Sequence, residues 1–253
     1  MTKKFKLKIY RGTPGNQYWE TFELEFRPRL NVIAALMEIR KNPVNIKGEI
    51  TTPVVWQDGC LEEVCGSCSM LINGRPRQSC SALVEPYLEH SDTITLAPFT
   101  KFPLVRDLMV DRSSMFDSLK KIRGWIEADG SWDSGPGPKI SPAKQELMYV
   151  MSTCMTCGCC SEACPQVNKH SKFMGPAPMT QVRLFNAHPT GATTKSDRLK
   201  AVMGKEGINH CGNAQNCEKV CPKDIPLLDG IAAIGRDATL EAFRRWLSFR
   251  DRD

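Results

Sequence analysis

Cys154-Met155-Thr156-Cys157-Gly158-Cys159-Cys160-Ser161-Glu162-Ala163-Cys164-Pro165 is the stretch whose reading decides the architecture. Taken on Cys154, Cys157, Cys160 and Cys164, the intervals are two, two and three residues, with a proline after the last. That is an iron-sulfur spacing in which the fourth thiolate serves a different cluster from the first three. A complementary knot is therefore required, and Cys211, Cys217 and Cys221-Pro222 provide it. The same template places a ligand at position 214, which is Ala214. With the fourth cysteines exchanged, Cys154, Cys157, Cys160 and Cys221 hold a complete 4Fe-4S cube. Cys164, Cys211 and Cys217 are left, and three thiolates suit a cube lacking one iron, a 3Fe-4S cluster. Cys159 is surplus and reads as a small buried or semi-buried thiol.

The remaining four of the twelve cysteines form a third group upstream. Cys60-x4-Cys65-x2-Cys68, followed by Cys80, has the spacing of a plant-type 2Fe-2S site. Gly59 and Gly66 beside it suit backbone packed where a Cβ would crowd inorganic sulfide. Zinc also accepts four thiolates, but structural zinc sites favour paired short spacings over x4 then x2. Six disulfides are the other use for twelve cysteines. A chain with no secretory h-region after Met1-Thr2-Lys3-Lys4-Phe5 reads as cytoplasmic, where thiols stay reduced.

Composition bounds the rest. A length of 253 residues with 41% apolar content favours two packed domains. A net charge of +6 without like-charge blocks gives no reason to expect nucleic acid as a partner. No apolar run approaches the roughly 18 residues of a membrane span, so contact with a membrane is expected to be peripheral or through a partner.

Along the chain, Phe5, Leu7 and Ile9, then Phe22, Leu24 and Phe26, alternate as strands do, with Gly12-Thr13-Pro14-Gly15-Asn16 as the hairpin connection. Asn31 reads as the N-cap of a short helix carrying Val32, Ala35, Leu36 and Ile39 on one side. Met70 and Ile72 lead into an Asn73-Gly74 turn, and Ile94 and Leu96 suggest a closing strand. Leu104, Leu108, Met115, Leu119 and Ile122 are spaced as one helical face, so a domain boundary is set between 1–103 and 104–253. Residues 130–142 read as a loop, and Ser141-Pro142 as N-cap and first turn of a helix entering the second knot. Ser196 is a candidate cap for a later helix. A long final helix contains Ile231, Ile234, Phe243 and Leu247. The second domain is thus mostly α.

His210, next to Cys211, is either a tuning group or a surface residue. His170 and His188 read as structural or surface residues, and Arg244, Arg245, Arg250 and Arg252 as a solvated helix face. The chain has no dinucleotide-binding glycine fingerprint and no carboxylate-binding constellation, so no catalytic residue is expected.

Taken together, Cys60-Leu61-Glu62-Glu63-Val64-Cys65-Gly66-Ser67-Cys68, Arg77-Gln78-Ser79-Cys80, Lys172-Phe173-Met174-Gly175-Pro176 and the two later knots resemble the iron-sulfur subunit of succinate dehydrogenase and fumarate reductase. Asn42-Pro43-Val44-Asn45 and Arg183-Leu184-Phe185-Asn186-Ala187-His188-Pro189-Thr190-Gly191 look like the menaquinone-linked Gram-positive type. The resemblance implies an α+β chain: an N-terminal β-grasp 2Fe-2S ferredoxin domain followed by an all-α bacterial-ferredoxin-like domain. It implies as partners an FAD-containing flavoprotein subunit and a membrane cytochrome b anchor bearing haem, on the cytoplasmic face of the cell membrane. Electrons would pass from flavin through 2Fe-2S, 4Fe-4S and 3Fe-4S clusters to quinone, menaquinone by this likeness. A quinol:fumarate reductase subunit would use the same path in reverse, and a soluble multi-cluster ferredoxin is the alternative of another class. Gln166-Val167-Asn168-Lys169 and Gly212 differ from the ubiquinone-linked members, so no quinone-binding residues are carried over.

Overall fold

Phe5, Leu7 and Ile9 point to one face of strand β1 (Lys4–Thr13), where all three are buried. In the computed structural model, which describes residues 3–127, 130, 135 and 137–250, β1 pairs antiparallel with β2 (Asn16–Glu25) through a two-residue turn, Thr13 opposite Asn16. Phe22 on β2 is buried, while Leu24 and Phe26 are half-buried against the same core. Helix α1 (Val32–Lys41) follows. Asn31 caps it as expected, its Oδ1 accepting from the Ala34 amide at 2.9 Å, and its Nδ2 also donates to the Cys80 carbonyl at 2.8 Å. One cap thus fixes a helix start and a cysteine backbone together.

Strands β3 (Ser69–Ile72) and β4 (Arg75–Gln78) form a hairpin around Asn73 and Gly74, both in left-handed conformation at φ +48° and +75°. Two consecutive positive φ values match the right-handed twist of the flanking strands. Strand β5 (Thr93–Ala97) runs parallel to β1 and antiparallel to β3, giving the order β2-β1-β5-β3-β4. α1 buries Val32, Ile33, Ala35, Leu36 and Ile39 in the same core as the sheet side chains. This is the β-grasp arrangement.

The helical face expected from Leu104 begins later than its spacing suggests. Leu104–Arg106 is strand β6, paired with β7 (Met109–Val110), and helix α2 covers only Ser113–Lys121. Leu108 therefore belongs to the sheet core, and Met115 and Ile122 are buried elsewhere. The cause is Asp107, 1% exposed at φ +49°, which breaks the helical register between the two short strands. Its carboxylate accepts from the Gly12 amide at 2.8 Å, the Val55 amide at 2.9 Å and the guanidinium of Arg11 at 3.3 Å. Arg11, itself 1% exposed, also binds Glu20 and the Thr52 carbonyl. Burial opposes its charge, but Asp107 and Glu20 more than offset that and hold its pKa above the ordinary value.

By contact the chain divides into two compact units. The first runs past residue 103 to Arg112 and takes back Met155–Ala163; the second comprises Ser113–Cys154 and the chain from Cys164 onward. The second unit is helical: α2, α3 (Pro142–Ser152), α5 (Pro176–Ala187), α6 (Lys195–Val202), α7 (Asn216–Lys219) and α8 (Leu227–Arg250), while the short α4 (Cys159–Ala163) lies in the first. Ile122, Phe173, Met179, Val182, Val202, Ile231 and Ile234 form its core. Ser141 caps α3 through the Lys144 amide. Ser196 is not a cap: α6 starts at Lys195, because a 3-10 turn (Gly191–Thr194) runs directly into it. The Ser196 hydroxyl instead donates to Glu241 at 2.6 Å. The loop expected over 130–142 falls partly outside the described residues, as do Met1, Thr2, the Arg250 side chain and Arg252. Of the other two terminal arginines, Arg244 is exposed, whereas Arg245 is tied to Glu241 and Ser196 on its own unit.

Removing one partner of a buried charge set leaves the remainder unpaired, at a cost of about 3 kcal/mol or more. Asp107→Ala should therefore destabilise the cluster-loaded protein by that amount, read as a lowered denaturation midpoint followed by loss of visible absorbance. An unchanged midpoint would deny Asp107 this role.

Candidate iron-sulfur sites

The loop ahead of β3 alternates left-handed residues with ordinary ones: Leu61, Glu63 and Gly66 have φ of +60°, +56° and +71°. Such alternation turns successive amides to one side, a concavity suited to an anion. The anion here is sulfur. Cys60 Sγ accepts from the amides of Glu62, Val64 and Cys65 at 3.4, 3.2 and 3.3 Å, and Cys65 Sγ from those of Cys60 and Ser67 at 3.4 and 3.5 Å. Hydrogen bonds from the Cys60 amide first, and then from Ser67, pull the Cys65 thiol down to about 6. Cys68 and Cys80 are buried on the opposite side, where desolvation, and then the proximity of Cys68, pushes the Cys80 thiol up to about 12.

This donor set fits an anionic cluster bound by four thiolates. One pair of sulfurs is ringed by amides in a solvated loop, and the other pair lies against the sheet. A Cβ on Gly59 would stand 3.0 Å from Cys65 Sγ, so glycine keeps that side of the cradle open. Gly66 has a different use from the expected one. Its Cβ would meet the Cα of Cys157 at 2.9 Å, so it makes room for backbone of the second knot.

That backbone is Met155–Ala163, which packs within the first unit. Arg112 donates to the carbonyls of Gly66 at 2.6 Å, Cys157 at 3.1 Å and Ser67 at 3.2 Å, and to Gln57 Oε1 at 3.0 Å. Burial pulls its pKa down, against the sulfurs of Cys157, Cys159, Cys65 and Cys68 around it. Glu162 accepts from the Thr100 amide and hydroxyl at 2.9 and 2.6 Å and from the Lys101 amide at 3.1 Å. Cys159 is 0% exposed, the buried thiol expected, and Gln78 Nε2 donates to its sulfur at 3.7 Å. A hydrogen bond with the Cys159 side chain, burial working against it, holds Cys157 down to about 7, while the same contact and burial send Cys159 well up.

Of the four residues expected to hold the cube, Cys157 and Cys160 lie in the first unit, and Cys154 and Cys221 in the second. Cys154 follows α3, its amide on the Met151 carbonyl at 3.4 Å, and Cys221 follows α7, its amide on the Glu218 carbonyl at 3.1 Å. The remaining three thiols are drawn together within the second unit. Cys164, Cys211 and Cys217 line one cleft with Phe173, Leu228, Ile231 and Ala214. Asn213 and Gln215 flank Ala214 at φ +52° and +63°, wrapping the segment around the cleft. Burial pushes the Cys217 thiol up to about 11. His210 is exposed and its Nε2 is bonded to the Lys205 carbonyl at 2.8 Å, which makes it a brace of its own turn. None of the twelve cysteines is in a disulfide.

Sequence reasoning singled out the cysteines and missed Arg112, Gln78 and Glu162, which pack around them. Arg77-Gln78-Ser79-Cys80 carried a signal for Gln78 only by its place two residues before Cys80; Arg112 and Glu162 are distant in sequence from the backbone they hold.

The family models agree with this layout. Residues 6–117 match the 2Fe-2S iron-sulfur cluster binding domain and residues 150–225 the 4Fe-4S dicluster domain. The chain is 61% identical to the succinate dehydrogenase iron-sulfur subunit of Bacillus subtilis over 90% of its own length and 89% of that protein's. It is 27% identical to the fumarate reductase iron-sulfur subunit of Wolinella succinogenes, covering 93% of this chain and 98% of that one. In fold it matches a chain of the Mycobacterium smegmatis Sdh1 complex in the apo form, with a TM-score of 0.82 at 22% identity, over 96% of this chain and 98% of that one. With both domains, the three thiolate groups and this identity in agreement, the chain belongs to the family of succinate dehydrogenase and fumarate reductase iron-sulfur subunits.

Proposed function

We propose that Cys60, Cys65, Cys68 and Cys80 hold a 2Fe-2S cluster, Cys154, Cys157, Cys160 and Cys221 a 4Fe-4S cluster, and Cys164, Cys211 and Cys217 a 3Fe-4S cluster. The chain is the electron-transfer subunit of a succinate:quinone oxidoreductase, working between a flavoprotein subunit and a membrane anchor. The clusters, when bound, supply the one-electron steps between a flavin and a quinone that each exchange two. The residues of this chain present thiolates, aim amides at them and keep water from the inner ones. Succinate oxidation is the favoured direction, on the strength of the 61% identity to a succinate dehydrogenase subunit. Fumarate reduction, the alternative, is represented at 27% identity.

No helix among the described residues is long and apolar enough to cross a membrane. A haem-bearing cytochrome b anchor, menaquinone as acceptor and a position on the cytoplasmic membrane face complete the reading, and Asn42-Pro43-Val44-Asn45 with its Gram-positive character supports it. The observation that carries the cluster assignment is the cleft in which three thiols meet Ala214 rather than a fourth cysteine.

Three measurements test it. EPR of the membrane complex should resolve three centres across its oxidised and reduced states, the 3Fe-4S signal when oxidised and the 2Fe-2S and 4Fe-4S signals when reduced, and a colourless, zinc-loaded protein would end the electron-transfer reading. Ala214→Cys should replace the 3Fe-4S signal by that of a four-iron cluster; persistence of the original signal would mean the register is misplaced. Cys159→Ser should retain every cluster while Cys160→Ser loses the cube, and the reverse result would shift the ligand by one residue.

A further inference from the structure

Gln78 ends β4 against the first thiolate group, and its side chain is 0% exposed. A buried amide must satisfy both its ends. Nε2 donates to Ser69 Oγ at 2.7 Å and to Cys159 Sγ at 3.7 Å, while Oε1 accepts from Cys68 Sγ at 3.4 Å. Ser69 Oγ passes its own hydrogen to the Gly66 carbonyl at 2.7 Å, an oxygen that also receives Arg112 at 2.6 Å.

The contact from Cys68 needs a protonated thiol. A cluster ligand is not one, since binding iron takes the proton from Sγ and leaves a sulfur that can only accept. Oε1 would then oppose an electron-rich sulfur in a dry site, which is repulsive. Amide oxygen and nitrogen are nearly the same size, and a half-turn about the last torsion exchanges them with nothing else displaced.

We propose that Gln78 is a positioning residue of the 2Fe-2S centre, its amide turned in the cluster-bound protein so that Nε2 donates to Cys68 Sγ and Oε1 accepts from the Ser69 hydroxyl. The proposal rests on Cys68 being a 2Fe-2S ligand. Every group keeps a partner after the turn. The Ser69 hydroxyl rotates from the Gly66 carbonyl, which retains Arg112, and the Cys159 thiol keeps its hydrogen bond with Cys157. An N–H donor on a ligand sulfur stabilises the reduced, more negative cluster and raises its potential. The same amide lies between Cys68 and Cys159, the neighbour of the proposed cube ligand Cys160.

The test uses the assembled membrane complex made with glutamine labelled with nitrogen-15 in its side chain. Pulsed EPR of the reduced 2Fe-2S signal should show a nitrogen-15 coupling that Gln78→Leu abolishes. The same variant should shift the 2Fe-2S midpoint potential downward and leave the other two midpoints in place. A 2Fe-2S signal without that coupling in the unsubstituted protein overturns the proposal even if Gln78→Leu fails to assemble, as does an unmoved midpoint in a variant that assembles. Absence of any 2Fe-2S signal in the unsubstituted protein would instead overturn the ligand reading on which the proposal stands.

Discussion

A loop that wraps an inorganic cluster turns its amides inward and so leaves its carbonyls without a ladder to join. Carbonyls outside a ladder need donors, and in this chain arginine supplies them. The fork of five N–H groups can satisfy several oxygens at once from a single side chain. Arg112 takes the carbonyls of Gly66, Ser67 and Cys157. Arg11 does the same for Thr52 and Pro53. In the second unit Arg198, 0% exposed, donates to the carbonyls of Arg123, Trp125 and Gly191 at 2.9, 2.8 and 2.6 Å. In these irregular segments the three forks stand in for the missing ladder partners.

The forks differ in how their charge is balanced, and the difference follows their work. Arg11 faces two buried carboxylates and is held above its ordinary pKa. Arg112 faces sulfur, and burial lowers its pKa. Arg198 faces carbonyls, and burial again pulls its pKa down. Arg112 is thus both a clamp on these carbonyls and a cation among the sulfurs of Cys157, Cys159, Cys65 and Cys68.

Spacing made the thiolates legible because the cluster itself fixes the distances between ligands, and a short peptide can meet them in few ways. Asn31, Ser141 and the Asn73-Gly74 turn were legible for the same reason: each states a local geometry in its own residues. The stretch from Leu104 was not. Its apolar spacing is compatible with a helix, and only Arg11, far away in sequence, shows that Asp107 must bend there into the sheet. Ser196 likewise has the chemistry of a cap, but Glu241 claims its hydroxyl. Gln78, Arg112 and Glu162 escaped because a residue that supports a ligand obeys no spacing rule; its partners are chosen by the fold.

The return of Met155–Ala163 to the first unit gives the conduction path its mechanical logic. Electron transfer between centres is steeply sensitive to separation, so the backbone that fixes the separation matters as much as the ligands. Cys157 and Cys160 are carried on a segment held by Arg112 at one end and by Glu162 at the other, with Gly66 as the contact that permits close approach. All three belong to the body that contains Cys60, Cys65, Cys68 and Cys80. The spacing from Cys60, Cys65, Cys68 and Cys80 to Cys157 and Cys160 is therefore set inside one packed unit, by hydrogen bonds and a glycine. A side chain at position 66 would lengthen it by forcing the Cys157 backbone away. The glycine next to Cys65 makes room for the backbone that carries Cys157.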